Sequence, residues 1–371
     1  MKGIFKQDAV YAELKKKIWE GKYKQGDIFP PEVVFARELG IARNTLRAAL
    51  SRLKDDGLVT RIKSVGTVVC RRPQIRGKYL LILNNLDDLA DPYLYIMPQI
   101  QAAAEAVDIG LEIINRNFLE SITEENGIRS IVNSKAEGVI FLGNNLTGQE
   151  KICSMLKKSG LPVLLPHAST KDHVRVPEFA VLRTDMRRSL HDALKFLANS
   201  GYQRVAFLMK ANSQLAKDEQ LRGFSRSEYF RELRRFGFST NPALLVFCQL
   251  NPVEIQKEIE TLLLMESPPD VILGYSDFYS MYVLQILNSL GISVPAEIGV
   301  MGLCGYPGGG YLSPPLTTID YQYDRIGRKA IEFMPELIAL KQRGAPMPEI
   351  IMPHSLMIRS TTKTTTERLE E

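Results

Sequence analysis

The chain has 371 residues, 45% of them hydrophobic and 24% charged, with a formal net charge of +5. That length is too great for one small domain, and the apolar fraction is ordinary for a soluble globular protein. No apolar run approaches the roughly 20 residues that cross a bilayer, and the first twenty residues are charged throughout, so neither a membrane span nor a secretory signal is expected.

In chain order, a first helix is predicted with Val10, Leu14 and Ile18 on one face, and a second begins at the Pro30-Pro31 pair, which suits a helix start. The stretch IARNTLRAALSRLKDDGLVTRIKSVG, residues 41–66, is the most informative in the chain. Leu46, Ala49, Leu50 and Leu53 fall at i, i+3, i+4 and i+7, one apolar stripe of a third helix. Arg43, Asn44, Arg47 and Lys54 lie off that stripe, and Gly57 supplies the left-handed residue that ends such a helix. LVTRI and TVVC then read as a short hairpin joined through Lys63, Ser64 and Gly66. Three helices and a hairpin are the pattern of a winged helix-turn-helix, whose third helix enters the DNA major groove. Arg and Asn are the side chains that bond bidentately to guanine and adenine edges.

A solvated basic surface helix is the plainer reading, and charge distribution argues against it. Residues 1–77 hold 17 Lys/Arg against 8 Asp/Glu, a net +9, so residues 78–371 carry −4. A basic head on a mildly acidic remainder is the electrostatic footprint of nucleic-acid binding. Residues 1–70 are therefore predicted as a small α+β winged helix-turn-helix DNA-binding domain, and 71–77 (RRPQIRG) as a linker.

Beyond the linker, apolar strands alternate with amphipathic helices. The strand candidates are YLLIL (79–83), LEIIN (111–115), GVIFL (138–142), PVLLP (162–166), RVAFLM (204–209), ALLVFC (243–248), DVILG (270–274) and IGVMGL (298–303). This is the signature of parallel sheets built from βαβ units, and the count suits two similar α/β lobes. Ligands of open parallel sheets bind beyond the carboxyl ends of the strands, so a small molecule is expected in the cleft between the lobes. TTKTTTERLEE (361–371) has no apolar pattern and reads as a disordered tail. Cys70, Cys153, Cys248 and Cys304 lie far apart, without metal-ligand or redox spacing, and read as reduced thiols of a cytoplasmic protein.

GKYKQGDIFPPE, FARELGIARNTLRAALSRLKDDGLV and GTVV, within residues 8–70, resemble the GntR family of bacterial transcription regulators. The resemblance implies that Arg43, Thr45 and Arg47 contact bases or phosphates and that Gly66 and Thr67 of the wing approach the minor groove. Asn44, Lys63 and Ser64 complete the candidate DNA-binding set. The chain departs from that family at Pro31, Val33, Ala42 and Ser64, where a capping or DNA-contacting side chain, or a wing glycine, is usual.

DPYLYIMPQIQAAAEAVDIGLEI, AEGVIFL, LPVLL, LRTDMRRSLHDALKFLANSGYQRVAFL, PPDVILGYSD, LGISVPAEIGVMG and PPLTTIDYQYDRIGRKA resemble the effector-binding core of LacI/GalR regulators over residues 78–360. That core is similar to periplasmic binding proteins. The resemblance implies one lobe of about 78–179 and 321–343, and a second of about 180–320 and 344–360. A GntR-type head on such a core is similar to the architecture of arabinose-responsive repressors.

Carried over by position, the family's pocket falls on Tyr93, His167, Gln220, Ser276, Asp277, Cys304 and Tyr323. Here His167 replaces an acid, Gln220 an arginine, Ser276 an asparagine and Cys304 an aspartate. Each has a structural alternative: His167 as a semi-buried histidine, Cys304 as a small apolar filler, the tyrosines as packing between lobes. Pro307 to Gly310 lacks the Lys-Ser/Thr of a phosphate loop and reads as a loop at the cleft rim.

His167 and His173 lack zinc spacing, no HExxH or Gly-x-Ser-x-Gly occurs, and no catalytic function, metal or cofactor is expected. The expected function is a ligand-responsive transcriptional regulator, a homodimer on a pseudo-palindromic double-stranded operator, with a carbohydrate or derivative as effector. The alternatives are a sensor whose head does not act in transcription, and a regulator with a non-sugar effector or none.

Overall fold

The computed structural model describes residues 2–19, 21–70, 77–83, 91–143, 146–168, 170–211 and 223–363. Two compact units divide it: residues 1–77 with 105–110, and 78–104 with 111–371.

The head consists of α1 (Lys2–Trp19), α2 (Glu32–Glu38), α3 (Arg43–Asp55), β1 (Val59–Ile62) and β2 (Gly66–Val69). Val10, Leu14 and Ile18 of α1 meet Leu46, Ala49, Leu50 and Leu53 of α3 in one buried cluster, closed by Phe29 and Phe35. Seven leucine-sized or smaller side chains at helical spacing thus build the core that fixes the outward face of α3. β1 and β2 pair antiparallel from Val59 opposite Val69 to Ile62 opposite Gly66. Ile28 bridges to Val68, so a third short segment widens the wing. Ser64 (φ 69°) and Gly66 (φ 124°) make the left-handed turn at its tip, which Gly66 permits without a Cβ.

The first lobe of the core takes β3 (Gly77–Leu83), α4 (Tyr93–Ala106), β4 (Ile109–Asn115), α5 (Arg116–Ser121), α6 (Glu124–Asn133), β5 (Gly138–Leu142), α7 (Lys151–Ser159), β6 (Val163–Pro166), α8 (Thr170–Arg175) and β7 (Ala180–Thr184). The chain then crosses to α9 (Met186–Asn199), β8 (Val205–Lys210), α10 (Arg226–Arg235), β9 (Leu245–Cys248), α11 (Pro252–Leu263), β10 (Val271–Gly274), α12 (Asp277–Ser289), β11 (Gly299–Cys304) and β12 (Thr317–Asp320). It returns through α13 (Tyr323–Gln342) and β13 (Glu349–Met352), then crosses again to β14 (Ser355–Met357). The sheets run β13-β7-β6-β5-β3-β4 and β14-β12-β11-β10-β8-β9. β3, β5, β6, β7 and β13 are parallel neighbours, as are β9, β8, β10, β11 and β12, while β14 runs antiparallel to β12. Fully buried strands such as GVIFL form each centre because helices cover both faces of a parallel sheet.

The lobe boundaries read from sequence need correction. β7 and β13, assigned there to the second lobe, pair with each other and with β6 in the first lobe's sheet. The first crossover therefore falls at Asp185 rather than at residue 180, and the last at residues 353–354. At these crossings Arg183 pairs with Glu349 at 2.5 Å and His354 with Asp192 at 3.0 Å. The tail also begins later than expected. Thr361 accepts from Val300 N–H through its carbonyl and from Thr317 N–H through Oγ1, both at 2.8 Å, and Lys363 N–H donates to the Tyr202 hydroxyl at 2.9 Å. Thr361 and Thr362 are buried because their hydroxyls are satisfied, which an apolar-pattern reading cannot register. Residues 364–371 and the linker residues 71–76 lie outside the described residues.

One carboxylate ties acid stability to this fold. Glu150 accepts from Thr147 N–H at 2.7 Å, Thr147 Oγ1 at 2.9 Å and Gly148 N–H at 2.9 Å at the start of α7. Burial pushes its pKa up, but these bonds, led by Thr147 N–H, outweigh burial and bring it from 4.5 to about 2. A pKa depressed by folding gives stability that is present above the unfolded value and lost as pH falls toward the folded one. The Glu150→Gln variant is expected to melt lower than wild type at pH 7, with the gap closing between pH 4.5 and about 2. Melting curves that keep a constant gap across that window would rule out this role.

Candidate functional site

The outward face of the head is basic by construction. Arg43, Asn44 and Arg47 are exposed on α3, Thr45 is half-buried, and Lys63, Ser64 and Gly66 are exposed at the wing with Thr67 half-buried behind them. Ala42 occupies the N-cap of α3 without a side-chain cap. The first N–H groups of that helix are thus left for an anion such as a phosphate. Val33 (63% exposed) and Val65 (49%) give apolar points on α2 and the wing tip.

The head also contains a feature that residue spacing did not reveal. Glu32, the first residue of α2, accepts from Arg47 Nη2 at 2.9 Å, from Arg43 Nε at 3.3 Å, and from Arg61 of β1. Its own side chain is only 11% exposed, whereas the three arginines are 51–61% exposed. The Arg47 hydrogen bond foremost, with those of its neighbours, holds the Glu32 carboxyl below its usual range despite burial. A recessed acid therefore gathers guanidinium groups from the third helix and the wing. Arg61 joins the basic face through it. The acid in the first turn of α2, three residues after Phe29, was the available signal.

The core places its candidate residues at the carboxyl ends of parallel strands, where the topology expects a ligand. His167 follows β6, Cys304 ends β11, Ser276 and Asp277 follow β10, and Tyr323 begins α13 after β12. Three of these turns hold non-glycine residues in the left-handed region: His167 (φ 58°), Cys304 (φ 124°) and Gln322 (φ 53°). Such conformations cost on the order of 1–3 kcal/mol each and gather at functional sites.

The candidates divide once placed. His167 lies edge-on to Tyr323 with ring centroids 5.2 Å apart, and 6.3 Å from Tyr321. Tyr323 stacks on Tyr306 at 5.6 Å and Tyr95 at 6.4 Å. Tyr95 of α4 meets Tyr306, two residues beyond β11, at 4.5 Å. Phe278 of α12 completes the group, 5.2 Å from Tyr306. Rings from both lobes therefore meet across the cleft, and Tyr95, Phe278, Tyr306 and Tyr321 were absent from the sequence-based set.

Tyr93 makes no ring contact in this group. It is buried at the start of α4 with a hydroxyl that has no hydrogen-bond partner, and burial, with Asp91 and Asp172 nearby, pushes its pKa up. Ser276 is buried at the N-cap of α12, its hydroxyl likewise unpartnered. Asp277 is fully buried, with Oδ1 accepting from Thr318 Oγ1 and Oδ2 from Tyr306 N–H, both at 2.6 Å. Both oxygens accept hydrogen bonds inside the second lobe, which ties Asp277 to the cleft wall. Cys304 is buried, its carbonyl accepting from Tyr321 N–H at 3.2 Å. Gln220 lies outside the described residues. Among the described residues no group of three or more His, Cys, Asp or Glu is placed to hold a metal, and no helix is long and apolar enough to cross a membrane.

Comparison with known proteins agrees with this geometry. Residues 6–69 match the GntR family of bacterial regulatory proteins, and residues 194–362 a periplasmic binding protein-like domain. The arabinose metabolism transcriptional repressor of Geobacillus stearothermophilus is 23% identical over 368 residues, covering 95% of this chain and 97% of that protein. The transcriptional repressor PurR of Aliivibrio salmonicida is 20% identical over 215 residues, covering 58% of this chain and 62% of that repressor. The crystal structure of a LacI transcriptional regulator from a Rhodococcus species superposes with a TM-score of 0.58 at 21% identity, covering 78% of this chain and 99% of that one.

Proposed function

Because the chain joins a GntR-type winged helix-turn-helix to a two-lobed, LacI-like periplasmic-binding-protein fold, we propose that it is a ligand-responsive transcriptional repressor of the cytoplasm. The basic face gathered on Glu32 carries this reading: three exposed arginines from two elements converge beside an uncapped helix start, a surface matched to phosphates and guanine edges. The chain acts as a homodimer whose two heads take the half-sites of a pseudo-palindromic operator. A small molecule in the inter-lobe cleft alters lobe closure and shifts DNA affinity by its differential binding to the two arrangements. Arg43, Asn44, Thr45, Arg47, Lys63, Ser64, Gly66 and Thr67, joined by Arg61, form the DNA face. His167, Ser276, Cys304 and Tyr323 belong to the effector cleft. The family resemblance suggests a carbohydrate or derivative, whereas the ring-lined cleft of this chain favours a flatter ligand.

Selection of bound sequences from a random duplex pool by the full chain tests the reading. The recovered sites are expected to be inverted repeats with centres one or more helical turns apart, about 10–10.5 base pairs per turn, and to weaken steeply with salt. Recovery of no preferred sequence, or of a single unrepeated half-site, would overturn it.

A further inference from the structure

We propose that the ligand of the inter-lobe cleft is a planar aromatic or heteroaromatic molecule, taken up between Tyr95 of the first lobe and Tyr306 of the second. The proposal rests on the reading of that cleft as the effector site and specifies the ligand's chemistry.

The grouping of rings at the junction of the lobes carries the argument. Tyr95, Tyr306 and Tyr323 lie within 22–32° of parallel, with centroids 4.5, 5.6 and 6.4 Å apart. Ring faces from opposite lobes thus meet, tilted between Tyr95 and Tyr306 and stacked between Tyr306 and Tyr323. His167 and Phe278 stand against the same group as walls, 5.2 Å from Tyr323 and from Tyr306 respectively. Tyr95 lies against Tyr306, so the ring-on-ring contact between lobes is made by the protein itself. A flat ring entering there exchanges one stacked contact for two, one with each lobe. That exchange couples occupancy to lobe separation without any new fixed charge.

The polar groups point the same way. A sugar is held by planar polar side chains that bond its hydroxyls in pairs. In this cleft the Asp277 oxygens already accept from the Thr318 hydroxyl and Tyr306 N–H. The position where a third acid is usual in such cores holds Cys304. Ser276 Oγ, buried without a protein partner two residues before Phe278, supplies one hydrogen bond to orient a ring edge. Among the described residues, grouped rings with a buried hydroxyl beside them suit recognition of a ring.

The experiment uses the full chain and two panels. Adenine, uracil, indole and 4-hydroxybenzoate form the flat panel; glucose, galactose and arabinose form the sugar panel. Thermal shift finds binders, and titration calorimetry gives affinity for wild type, Tyr95→Ala, Tyr306→Ala and Tyr306→Phe. Tyr95 is only half-buried, so its alanine variant keeps the fold even if the Tyr306 variant does not. At least one flat compound is expected to bind. Either alanine variant is expected to weaken it about tenfold to a hundredfold, the usual effect of removing one stacked ring, and Tyr306→Phe to retain it. A sugar that binds in place of the flat compounds and is weakened by the alanine variants overturns the ligand class while leaving the cleft as the effector site. Binding indifferent to both tyrosines, or no binding by either panel, overturns the cleft reading with it.

Discussion

Replacing Arg43 and Arg47 together by alanine is expected to lower affinity for the selected inverted repeat on the order of a hundredfold to ten-thousandfold. A bidentate arginine contact contributes about 1–3 kcal/mol of discrimination, and each 1.4 kcal/mol is about tenfold. Both guanidinium groups are more than half exposed, but their removal leaves the recessed Glu32 carboxylate with Arg61 alone, so the head is also expected to melt below wild type, and affinity is compared at a temperature where both proteins are folded. Glu32 supplies the control. In the free head its carboxylate is shared by Arg43, Arg47 and Arg61. Glu32→Gln leaves the arginines in place but removes their common anchor. Contact with any duplex should then strengthen while preference for the repeat narrows, because the guanidinium groups lose their pre-set directions. Gel retardation at several salt concentrations separates these effects. Retardation of the repeat by the double variant as strong as wild type would remove α3 as the reading helix.

The head was legible because its core depends on spacing alone: four apolar residues of α3 meet three of α1 in the order the pattern requires. The core was legible as alternating strands and helices but not as lobes. β7 (AVLRT) is short and mostly buried, β13 (EIIM) is a short, half-buried edge strand, and nothing local says which of two similar sheets they join. TTID of β12 escaped because its threonines look polar. Both are fully buried, Thr318 bonded to Asp277 and Thr317 to Thr362. The cleft was harder still. Tyr93 and Tyr95 stand two residues apart, about 200° around a helix of 3.6 residues per turn. One faces the cleft rings and the other the protein interior, and only the phase of α4 decides which. Resemblance selected Tyr93, whereas the ring contacts belong to Tyr95. Asp277 was visible as an acid at a strand end. Its commitment to Thr318 and Tyr306 depends on residues 29 and 41 positions away.

That commitment gives the second large effect. Asp277→Ala is expected to destabilise the core by about 2–6 kcal/mol, since the Thr318 hydroxyl and the Tyr306 N–H would both be left buried without this acceptor, at roughly 1–3 kcal/mol each. In a core of this size the melting midpoint should fall on the order of 10 °C, at about 2–4 °C per kcal/mol. Asp277→Asn should cost less. Its carbonyl oxygen keeps the Tyr306 N–H, while its amide donates to a Thr318 hydroxyl that turns to the Ile319 carbonyl, already 3.3 Å away. The site has no slack for a larger repair, because a Cβ on Gly302 would lie 2.2 Å from Asp277 Oδ1. Tyr306 is the ring that faces Tyr95 across the cleft, and Asp277 fixes its backbone. The same residue therefore sets the core's stability and the position of one cleft wall. Calorimetry of the two variants tests the first role: a fall of less than about 1 kcal/mol in Asp277→Ala would deny it a structural part. Ligand titration of Asp277→Asn tests the second: the variant keeps the bond to Tyr306 N–H, so a folded core that binds as wild type does is the expected result, and markedly weaker binding would place the Asp277 carboxyl against the ligand itself.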